Sequence, residues 1–268
     1  MEYRAIIDAI GPRRREGQCF LVNSSVAAFE AGYARGLSVL EMGPGLGILT
    51  KELCAVARHV TAIEKDIRLF ERLRVELPLA NLSLINADFL ESDMEALGEF
   101  DIMVSNIPYN LSSRVVSWLW DNRMPALLCV QREFAEHMVA KPGTPSYSRL
   151  SVMSSLLFSV HSVRRVGAGE FYPVPRVDSE LVYMVPKKAG LPDLTADVIR
   201  LIMNHKKKRL RNAIIDSASE FGASKARARE AADAMRMRDR RPFQMSPMEI
   251  LDASKEALAL GITPLRSG

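Results

Sequence analysis

The stretch that decides the fold is Val39-Leu40-Glu41-Met42-Gly43-Pro44-Gly45-Leu46-Gly47, an apolar run followed by a glycine-rich turn. A short apolar run bounded by turn residues indicates a buried strand, and the amphipathic segment that follows it indicates a helix. Glycines permit positive φ angles and let a ligand approach the backbone closely. The stretch therefore predicts the first strand–turn–helix unit of an α/β domain, with a ligand site at the carboxyl end of the strand.

Further apolar runs follow this first strand, Ser38–Met42, at the spacing of a β/α repeat. The early runs are separated by amphipathic segments, which predicts βαβ units and a parallel sheet. The last two runs are joined by a short segment and can pair antiparallel. The sequence thus predicts a mixed seven-stranded sheet, whose further strands are Val60–Glu64, Leu82–Asn86, Phe100–Ser105, Ala126–Val130, Ser162–Val166 and Leu181–Val185.

The pattern changes near residues 187–192, after which apolar residues recur at helical spacing. Ser246-Pro247-Met248-Glu249 has the form of a helix start, with a capping serine, a proline at the first position and a glutamate three residues after the cap. We therefore expect two domains, an α/β domain over residues 1–188 and a small all-helical domain over residues 189–268.

Composition restricts the class of protein. The chain has 268 residues, of which 48% are apolar and 25% charged, an ordinary globular mixture. It has neither an apolar run of membrane-spanning length nor the start of a signal peptide, so we expect a cytoplasmic protein without a membrane partner. Three dispersed cysteines and four dispersed histidines predict neither disulfides nor a metal site. We expect a monomer.

Basic residues are concentrated in the C-terminal part of the chain. Thirteen lysines and arginines and five acidic residues lie between Arg200 and Arg241, a local charge of +8, whereas the whole chain carries only +4. A basic region on a mildly acidic body favours a polyanionic partner, most simply a nucleic acid.

Acidic residues at successive strand ends indicate the cofactor. Glu64 ends the second strand 21 residues after Gly43, where an acid commonly binds a ribose diol. Asp88 follows the third strand and can accept a hydrogen bond from the amino group of an adenine ring. The glycines are spaced G-x-G-x-G around Pro44, unlike the G-x-G-x-x-G typical of nicotinamide dinucleotide sites. A cationic sulfonium suits these acids, so S-adenosylmethionine is the better match; Glu41 is either a further cofactor acid or a turn acceptor.

Asn106-Ile107-Pro108-Tyr109 follows the fourth strand and indicates the substrate. The side-chain oxygen of Asn106 and the carbonyl of Ile107 can accept both hydrogens of an aromatic amine. Pro108 stiffens the turn, and Tyr109 offers a ring face for a base. These residues therefore predict methylation of an exocyclic amine, in which fixed acceptors turn the nitrogen lone pair towards the methyl donor.

With these motifs in view, the chain resembles the ribosomal RNA adenine dimethyltransferases from about Gly17 to near Ala257. The resemblance implies a Rossmann-like class I methyltransferase fold, and dimethylation of two adjacent adenosines near the 3′ end of small-subunit rRNA in an immature ribosomal subunit. It is carried by the glycine-rich and Asn106–Tyr109 motifs together with Gly17-Gln18-Cys19-Phe20-Leu21, Gln131-Arg132-Glu133, residues 147–152, residues 171–179 and Lys207-Lys208-Arg209-Leu210-Arg211-Asn212.

The resemblance also implies roles for individual residues. Phe171 is expected as a second stacking wall for the adenine. The family usually has Asn or His at position 19 and often Asp at position 23, where this chain has Cys19 and Asn23, so a backbone contact is expected at Cys19. The expected cofactor residues are Gln18, Cys19, Leu21, Gly43, Gly45, Glu64, Asp88 and Asn106. The expected phosphate-binding residues are Arg13, Arg14, Arg15, Lys206, Lys207, Lys208, Arg209 and Arg211.

Two alternatives to this function stay open. A DNA adenine methyltransferase carries a similar loop, Asn/Asp-Pro-Pro-Tyr. This chain has Ile107 in place of a proline of that loop, and its basic helical domain also argues against a DNA enzyme. A ribosome-assembly factor without catalysis is the other alternative, which the intact Asn106–Tyr109 loop disfavours.

Overall fold

A computed structural model describes residues 2–11, 18–192 and 194–265 of the chain. The chain divides into two compact units. The first comprises residues 1–135 and 160–186, and the second comprises residues 136–159 and 187–268. Within the described ranges, no helix is both long and apolar enough to cross a membrane.

The first unit is built on the predicted seven-stranded mixed sheet. Its strands follow the order β4-β3-β2-β5-β6-β9-β7. Every pairing among β2 to β6 is parallel, namely β4 with β3, β3 with β2, β2 with β5 and β5 with β6. Strand β9 runs antiparallel to β6, with Gln131 opposite Ser179. The strands of the chain are β1 (Phe20–Leu21), β2 (Ser38–Met42), β3 (His59–Glu64), β4 (Leu82–Asn86), β5 (Ile102–Asn106), β6 (Ala126–Gln131), β7 (Phe158–Val166), β8 (Phe171–Tyr172) and β9 (Ser179–Pro186).

Helices connect these strands and form the second unit. Their sequence patterns give one apolar face to the core, as in α9, where Val198, Ile199 and Ile202 are fully buried. The helices are α1 (Glu2–Ile10), α2 (Ser24–Ala31), α3 (Ile48–Val56), α4 (Ile67–Glu76), α5 (Met94–Leu97), α6 (Ser112–Asn122), α7 (Arg132–Met138), α8 (Arg149–Leu157), α9 (Thr195–Asn204), α10 (Leu210–Asp216), α11 (Lys225–Ala234) and α12 (Pro247–Ala259).

Sequence periodicity did not predict the two-stranded sheet formed by β1 and β8. Phe20 lies opposite Tyr172 and Leu21 opposite Phe171 in an antiparallel pair. Two-residue strands carry no readable alternation, and these two lie about 150 residues apart in the chain. The pairing ties the segment before α2 to the segment before β9.

The glycine-rich turn adopts the backbone conformation that its sequence predicts. Gly47 has a φ of 77°, and a Cβ atom there would lie 2.5 Å from the side chains of Leu73 and Leu77. Only glycine fits such a position without displacing its neighbours. The turn can therefore deliver the chain into α3 directly beside α4.

The second unit includes residues that we expected in the first domain. Residues 136–159 pack with the C-terminal helices, because the fully buried Tyr147 donates a hydrogen bond from its hydroxyl to the carbonyl of Met245 at 2.8 Å. The expected boundary after residue 188 therefore omits this segment. At α12 the structure confirms the predicted start, since Ser246 and Glu249 form a reciprocal capping box.

Candidate active site

The ends of strands β2 to β5 bring together most of the expected cofactor residues. Cavities that share Gly43 lie along this edge of the sheet, and together we call them the inner cleft. Its lining includes all of the expected cofactor residues, namely Gln18, Cys19, Leu21, Gly43, Gly45, Glu64, Asp88 and Asn106. The part lined by Glu64 and Asp88 has a volume of about 240 Å³.

Glu64 is held at the centre of the inner cleft by backbone amides. Its Oε2 accepts from the N–H of Gly45 at 3.1 Å and its Oε1 accepts from the N–H of Asp66 at 2.8 Å. Burial raises the pKa of this carboxyl group, while the backbone hydrogen bonds oppose that rise. Each oxygen keeps a lone pair for a further donor, so the carboxyl group can accept two hydroxyl hydrogens side by side.

Asp88 has partners within the protein. Its Oδ1 accepts from the backbone N–H of Leu90 at 3.0 Å, and its Oδ2 pairs with Nζ of Lys65 at 2.7 Å. The hydrogen bond from Lys65 lowers the pKa of Asp88. The carboxylate is therefore ionised, fixed in place and able to accept a further hydrogen from an aromatic amine beside Phe89 and Leu90.

Glu41 lies below the glycine-rich turn and is 2% exposed. Burial raises its pKa to about 8, although the nearby Thr50 hydroxyl lowers it, and the charge of Glu64 raises it further. Glu41 lines one cavity of the inner cleft together with Gly43, Pro44 and Gly45 of the turn. Its position is therefore compatible with either expected role, a cofactor acid or a turn acceptor.

Asn106 lines the inner cleft and carries an unused acceptor. Its Oδ1 is buried and has no hydrogen-bond partner among the described residues. A buried amide oxygen without a partner is costly, and a functional role is one reason for a fold to keep such an atom. Ile107 is 3% exposed, and Pro108 turns the chain with φ −55° and ψ 132°.

Tyr109 stands where the inner cleft meets a wider cavity. The wider cavity, which we call the outer cavity, has a volume of about 770 Å³; its lining includes Gln18, Cys19, Tyr109, Gln131, Tyr172 and Arg176. The Tyr109 hydroxyl shares a hydrogen bond of 2.7 Å with Oγ of Ser179, and burial raises the pKa of Tyr109 to about 12. Its ring is thus neutral and fixed. Phe171 also lines the inner cleft but is only 3% exposed.

Cys19 and Leu21 reach the inner cleft in different ways. The half-buried thiol of Cys19 has its pKa raised by burial, so the group is neutral. Leu21 is 6% exposed and belongs to the hydrophobic core. Asn23, the second departure from the family pattern, caps α2 and donates from Nδ2 to Oε2 of Glu170 at 2.6 Å.

Most of the described basic residues expected to bind phosphate have partners. Lys206 donates from Nζ to the carbonyl of Tyr147, and Arg211 pairs with Asp233. Lys208 pairs with Asp216 at 2.7 Å, and Arg209 with Asp239 at 3.2 Å. Lys207 is exposed. Arg13, Arg14 and Arg15 lie outside the described residues. Exposed ion pairs of this kind contribute little to stability, so a phosphate can displace the acidic partner.

Sequence reasoning missed several residues of the site. Ser179 and Lys65 were not assigned roles, since partners across the sheet leave no local pattern. Phe20 was named only as part of the motif that runs from Gly17 to Leu21, although its ring packs against Gly45.

Comparisons with known proteins agree with this geometry. Residues 12–252 match the family described as ribosomal RNA adenine dimethylase. The chain is 40% identical to the "Probable ribosomal RNA small subunit methyltransferase A" of Methanopyrus kandleri, covering 94% of this chain and 95% of the relative. The protein of the same name from Thermococcus kodakarensis is 39% identical, with 90% and 88% covered.

Solved structures show the same likeness. A dimethyladenosine transferase from Plasmodium falciparum superimposes with a TM-score of 0.78 at 25% identity, covering 92% of this chain and all of that one. The 23S rRNA methyltransferase ErmE gives a TM-score of 0.60 at 27% identity, with 88% and 99% covered. The chain therefore belongs to the ribosomal RNA adenine dimethylase family, and it is an S-adenosylmethionine-dependent rRNA methyltransferase with a Rossmann-like fold.

Proposed function

We propose that this protein dimethylates the exocyclic amines of two adjacent adenosines near the 3′ end of small-subunit rRNA, in an immature ribosomal subunit. The observation that carries the proposal is Oδ1 of Asn106, a buried acceptor with no partner among the described residues, at the meeting point of the inner cleft and Tyr109. The name that both relatives carry supports the small subunit as the source of the RNA.

The inner cleft holds the cofactor. S-adenosylmethionine supplies, when bound, an electrophilic methyl group on a sulfonium centre. Glu64 accepts from the ribose hydroxyls and Asp88 from the adenine amine, while the backbone at Cys19 and the glycine turn contact the remainder. The acids that line the inner cleft, Glu41, Glu64 and Asp88, support this assignment, since a sulfonium compound carries positive charge.

Two acceptors orient the target amine. Oδ1 of Asn106 and the carbonyl of Ile107 each accept one N–H, which withdraws the lone pair from the aromatic ring and directs it at the methyl group. The nitrogen becomes acidic once it is alkylated, so its proton passes to water and no strong base is required. Orientation and preorganised dipoles then supply most of the rate.

Aromatic side chains hold the base. The ring of Tyr109, fixed through Ser179, stacks on one face of the adenine, and Phe171 contributes a second wall. The adenine leaves its helical stack to reach this position, at a cost of roughly a few kcal/mol. The outer cavity, which Tyr109 also lines, is large enough to let the adenosine shift while its amine turns for the second methyl group.

The basic residues bind the RNA backbone. Lys206, Lys207, Lys208, Arg209 and Arg211, together with Arg13, Arg14 and Arg15, contact phosphates and make binding sensitive to salt. Specificity then comes from the shape of the RNA within the particle, because stacking on an aromatic ring is tolerant of sequence. The protein acts as a monomer in the cytoplasm, where ribosomal subunits mature.

Transfer of labelled methyl from S-adenosylmethionine to immature small subunits, followed by nucleoside analysis, tests the proposal. We expect dimethyladenosine at two neighbouring positions, no transfer with Asn106→Ala, and wild-type transfer with Asn122→Ala, which removes an exposed amide of the same unit. If the wild type binds the cofactor but leaves the rRNA unmethylated, the proposal is wrong. An assembly factor or a DNA methyltransferase would then be tested, the latter on duplex DNA.

A further inference from the structure

The outer cavity adjoins the place of the target adenine and is larger than the cavities of the inner cleft. Its volume of about 770 Å³ compares with about 240 Å³ for the part of the inner cleft that Glu64 and Asp88 line. Tyr109 lines the outer cavity as well as the inner cleft. A nucleotide that is covalently attached to the target adenosine therefore has room beside it.

Gln131 brings a side-chain amide to the outer cavity. It ends β6 directly opposite Ser179 of β9 in an antiparallel pair. Residues opposite each other in such a pair have their side chains on the same face of the sheet, with Cβ atoms about 4.5–5.5 Å apart. Oγ of Ser179 in turn shares a hydrogen bond of 2.7 Å with the Tyr109 hydroxyl. The amide of Gln131 therefore lies near the ring that we assign to the target adenine.

The amide of Gln131 is available to a ligand. The residue is half-buried, and its side chain has no hydrogen-bond partner among residues 2–11, 18–192 and 194–265. A side-chain amide accepts at one end and donates at the other. Adenine offers the matching pair on one edge, because its N7 accepts and its amino group donates, whereas guanine offers the two acceptors N7 and O6. Gln131 can therefore form two hydrogen bonds with adenine but only one with guanine.

Two further residues that line the outer cavity suit a nucleotide. Arg176 is exposed and has no ionic partner in the described part of the chain, so its guanidinium group can bind a phosphate. Tyr172 supplies a fixed aromatic wall, since its hydroxyl donates to Oδ1 of Asp8 at 2.8 Å and the guanidinium group of Arg4 lies over its ring, 5.4 Å from the centroid. An amide, an aromatic wall and a cation are the groups with which proteins bind an unstacked nucleotide.

We propose that the outer cavity binds the nucleotide next to the target adenosine, with the amide of Gln131 recognising its base as adenine and Arg176 binding a phosphate of the RNA backbone. The inference rests on the proposed function, since it assumes that an adenosine of the RNA lies against Tyr109. Stacking on Tyr109 cannot select a sequence, because an aromatic ring accepts any base. Gln131 adds the missing selection, so the enzyme recognises two adjacent adenosines and not a single one.

Immature small subunits that carry guanosine in place of one of the two adjacent adenosines test the inference. Each of the two substituted particles keeps one target adenosine, whose neighbour is now guanosine. The outer cavity lies on one side of the target, so only one particle presents its guanosine to Gln131. We expect the wild-type enzyme to methylate the adenosine of that particle at least about tenfold more slowly than the same adenosine in intact particles, because a bidentate contact discriminates between bases by this much or more.

Two variants assign the effect to residues. Gln131→Ala should methylate intact particles more slowly and lose the discrimination against guanosine, whereas Asn122→Ala, which removes an exposed amide of the same unit, should keep both the rate and the discrimination. Arg176→Ala should weaken the binding of all three particles and keep the discrimination. Its matched control is Arg35→Ala, which removes another exposed arginine of the first unit without an ionic partner among the described residues and should leave binding unchanged.

The same assay separates this inference from the proposed function. If the wild type dimethylates both adenosines of intact particles and neither guanosine neighbour slows it, the proposed function stands and the inference is wrong; this result requires no variant to fold. Discrimination that persists in Gln131→Ala would also overturn the inference. A wild-type enzyme that transfers no methyl group to intact particles contradicts both.

Discussion

Oε2 of Glu64 accepts a hydrogen bond from the backbone N–H of Gly45, at 3.1 Å and across 19 residues of sequence. The acid at the end of β3 therefore also fixes the glycine-rich turn at the end of β2. Because Oε1 is held by the N–H of Asp66, the carboxyl group cannot rotate. The inner cleft is thus assembled before a ligand arrives, which reduces the ordering required on binding.

Replacing Glu64 should weaken cofactor binding and loosen the turn together. Glu64→Ala removes the acceptor for two buried backbone amides, a loss of about 1–3 kcal/mol of stability. We expect the dissociation constant for S-adenosylmethionine, measured by calorimetry, to rise at least about tenfold, or ~1.4 kcal/mol. Glu91→Ala, which removes an exposed acid, serves as the control. An unchanged dissociation constant in Glu64→Ala would exclude the ribose role.

Gly45 should tolerate no side chain. Its φ is 59°, and a Cβ atom would lie 2.9 Å from Cδ1 of Phe20. Gly36 has a comparable φ of 72° but open space around its Cβ position, so Gly36→Ala measures the backbone cost alone, about 1 kcal/mol. We expect a larger loss of stability in Gly45→Ala by urea denaturation, and weaker cofactor binding in that variant only. Equal losses would mean that Phe20 simply moves aside.

The sheet could be predicted from sequence because its strands are local apolar runs separated by amphipathic segments. The residues of β2 and β4 were predicted to the residue, and β5 begins two residues later than expected, at Ile102. By contrast, β7 begins at Phe158 directly after α8. Apolar residues and serines are mixed on both sides of this point, so the pattern does not show where the helix becomes a strand.

Pairings between residues far apart in the chain could not be predicted from local sequence patterns. The partnership of Tyr147 with Met245 joins residues 98 apart, and it draws a segment expected in the first domain into the second unit. In the same way the sequence shows that Arg211 is basic but not that Asp233 neutralises it. The acids at the strand ends could be predicted to lie together, because parallel strands end at one edge of the sheet. Side chains that meet only through the packing of distant segments could not be predicted in this way.

Tyr109 should contribute through its ring more than through its hydroxyl. Tyr109→Phe keeps the stacking face and loses the bond to Ser179, whereas Tyr109→Ala loses both. We expect methyl transfer to fall only a few-fold in the first variant and by at least about tenfold in the second, since stacking on a base contributes about 1–3 kcal/mol. Equal losses in the two variants would show that the hydroxyl, and not the ring, matters.

Neutralising Lys207, Lys208 and Arg211 should weaken RNA binding and reduce its salt dependence. For every phosphate that the variant no longer binds, the slope of log affinity against log salt should fall by about 0.7–0.9. The triple alanine variant of Lys225, Arg229 and Lys255 removes the same charge from other exposed positions of the second unit. A filter-binding series with small-subunit rRNA separates the two. Identical slopes would mean that only net charge counts.

The two most deeply buried acids should make the protein less stable as pH rises. Burial raises the pKa of both Glu30 and Glu41 from 4.5 to about 8. Between these values the folded chain keeps protons that the unfolded chain has lost. The corresponding stability is complete below pH 4.5 and is lost as the pH rises through about 8, at up to ~1.4 kcal/mol per pH unit for each group.

Glu30→Gln should remove one of these two contributions. Its free energy of unfolding in urea should fall less steeply than that of the wild type between pH 5.5 and 8, and at pH 8 the variant should be the more stable protein. Asp88, whose pKa is lowered, loses its contribution only at acidic pH and does not disturb this window. Glu91→Gln removes an exposed acid and should follow the wild-type slope. If the three proteins give parallel curves, Glu30 keeps no extra proton in the folded chain above pH 5.5. Glu30 would then already be ionised at pH 5.5, and its pKa would not be raised by folding.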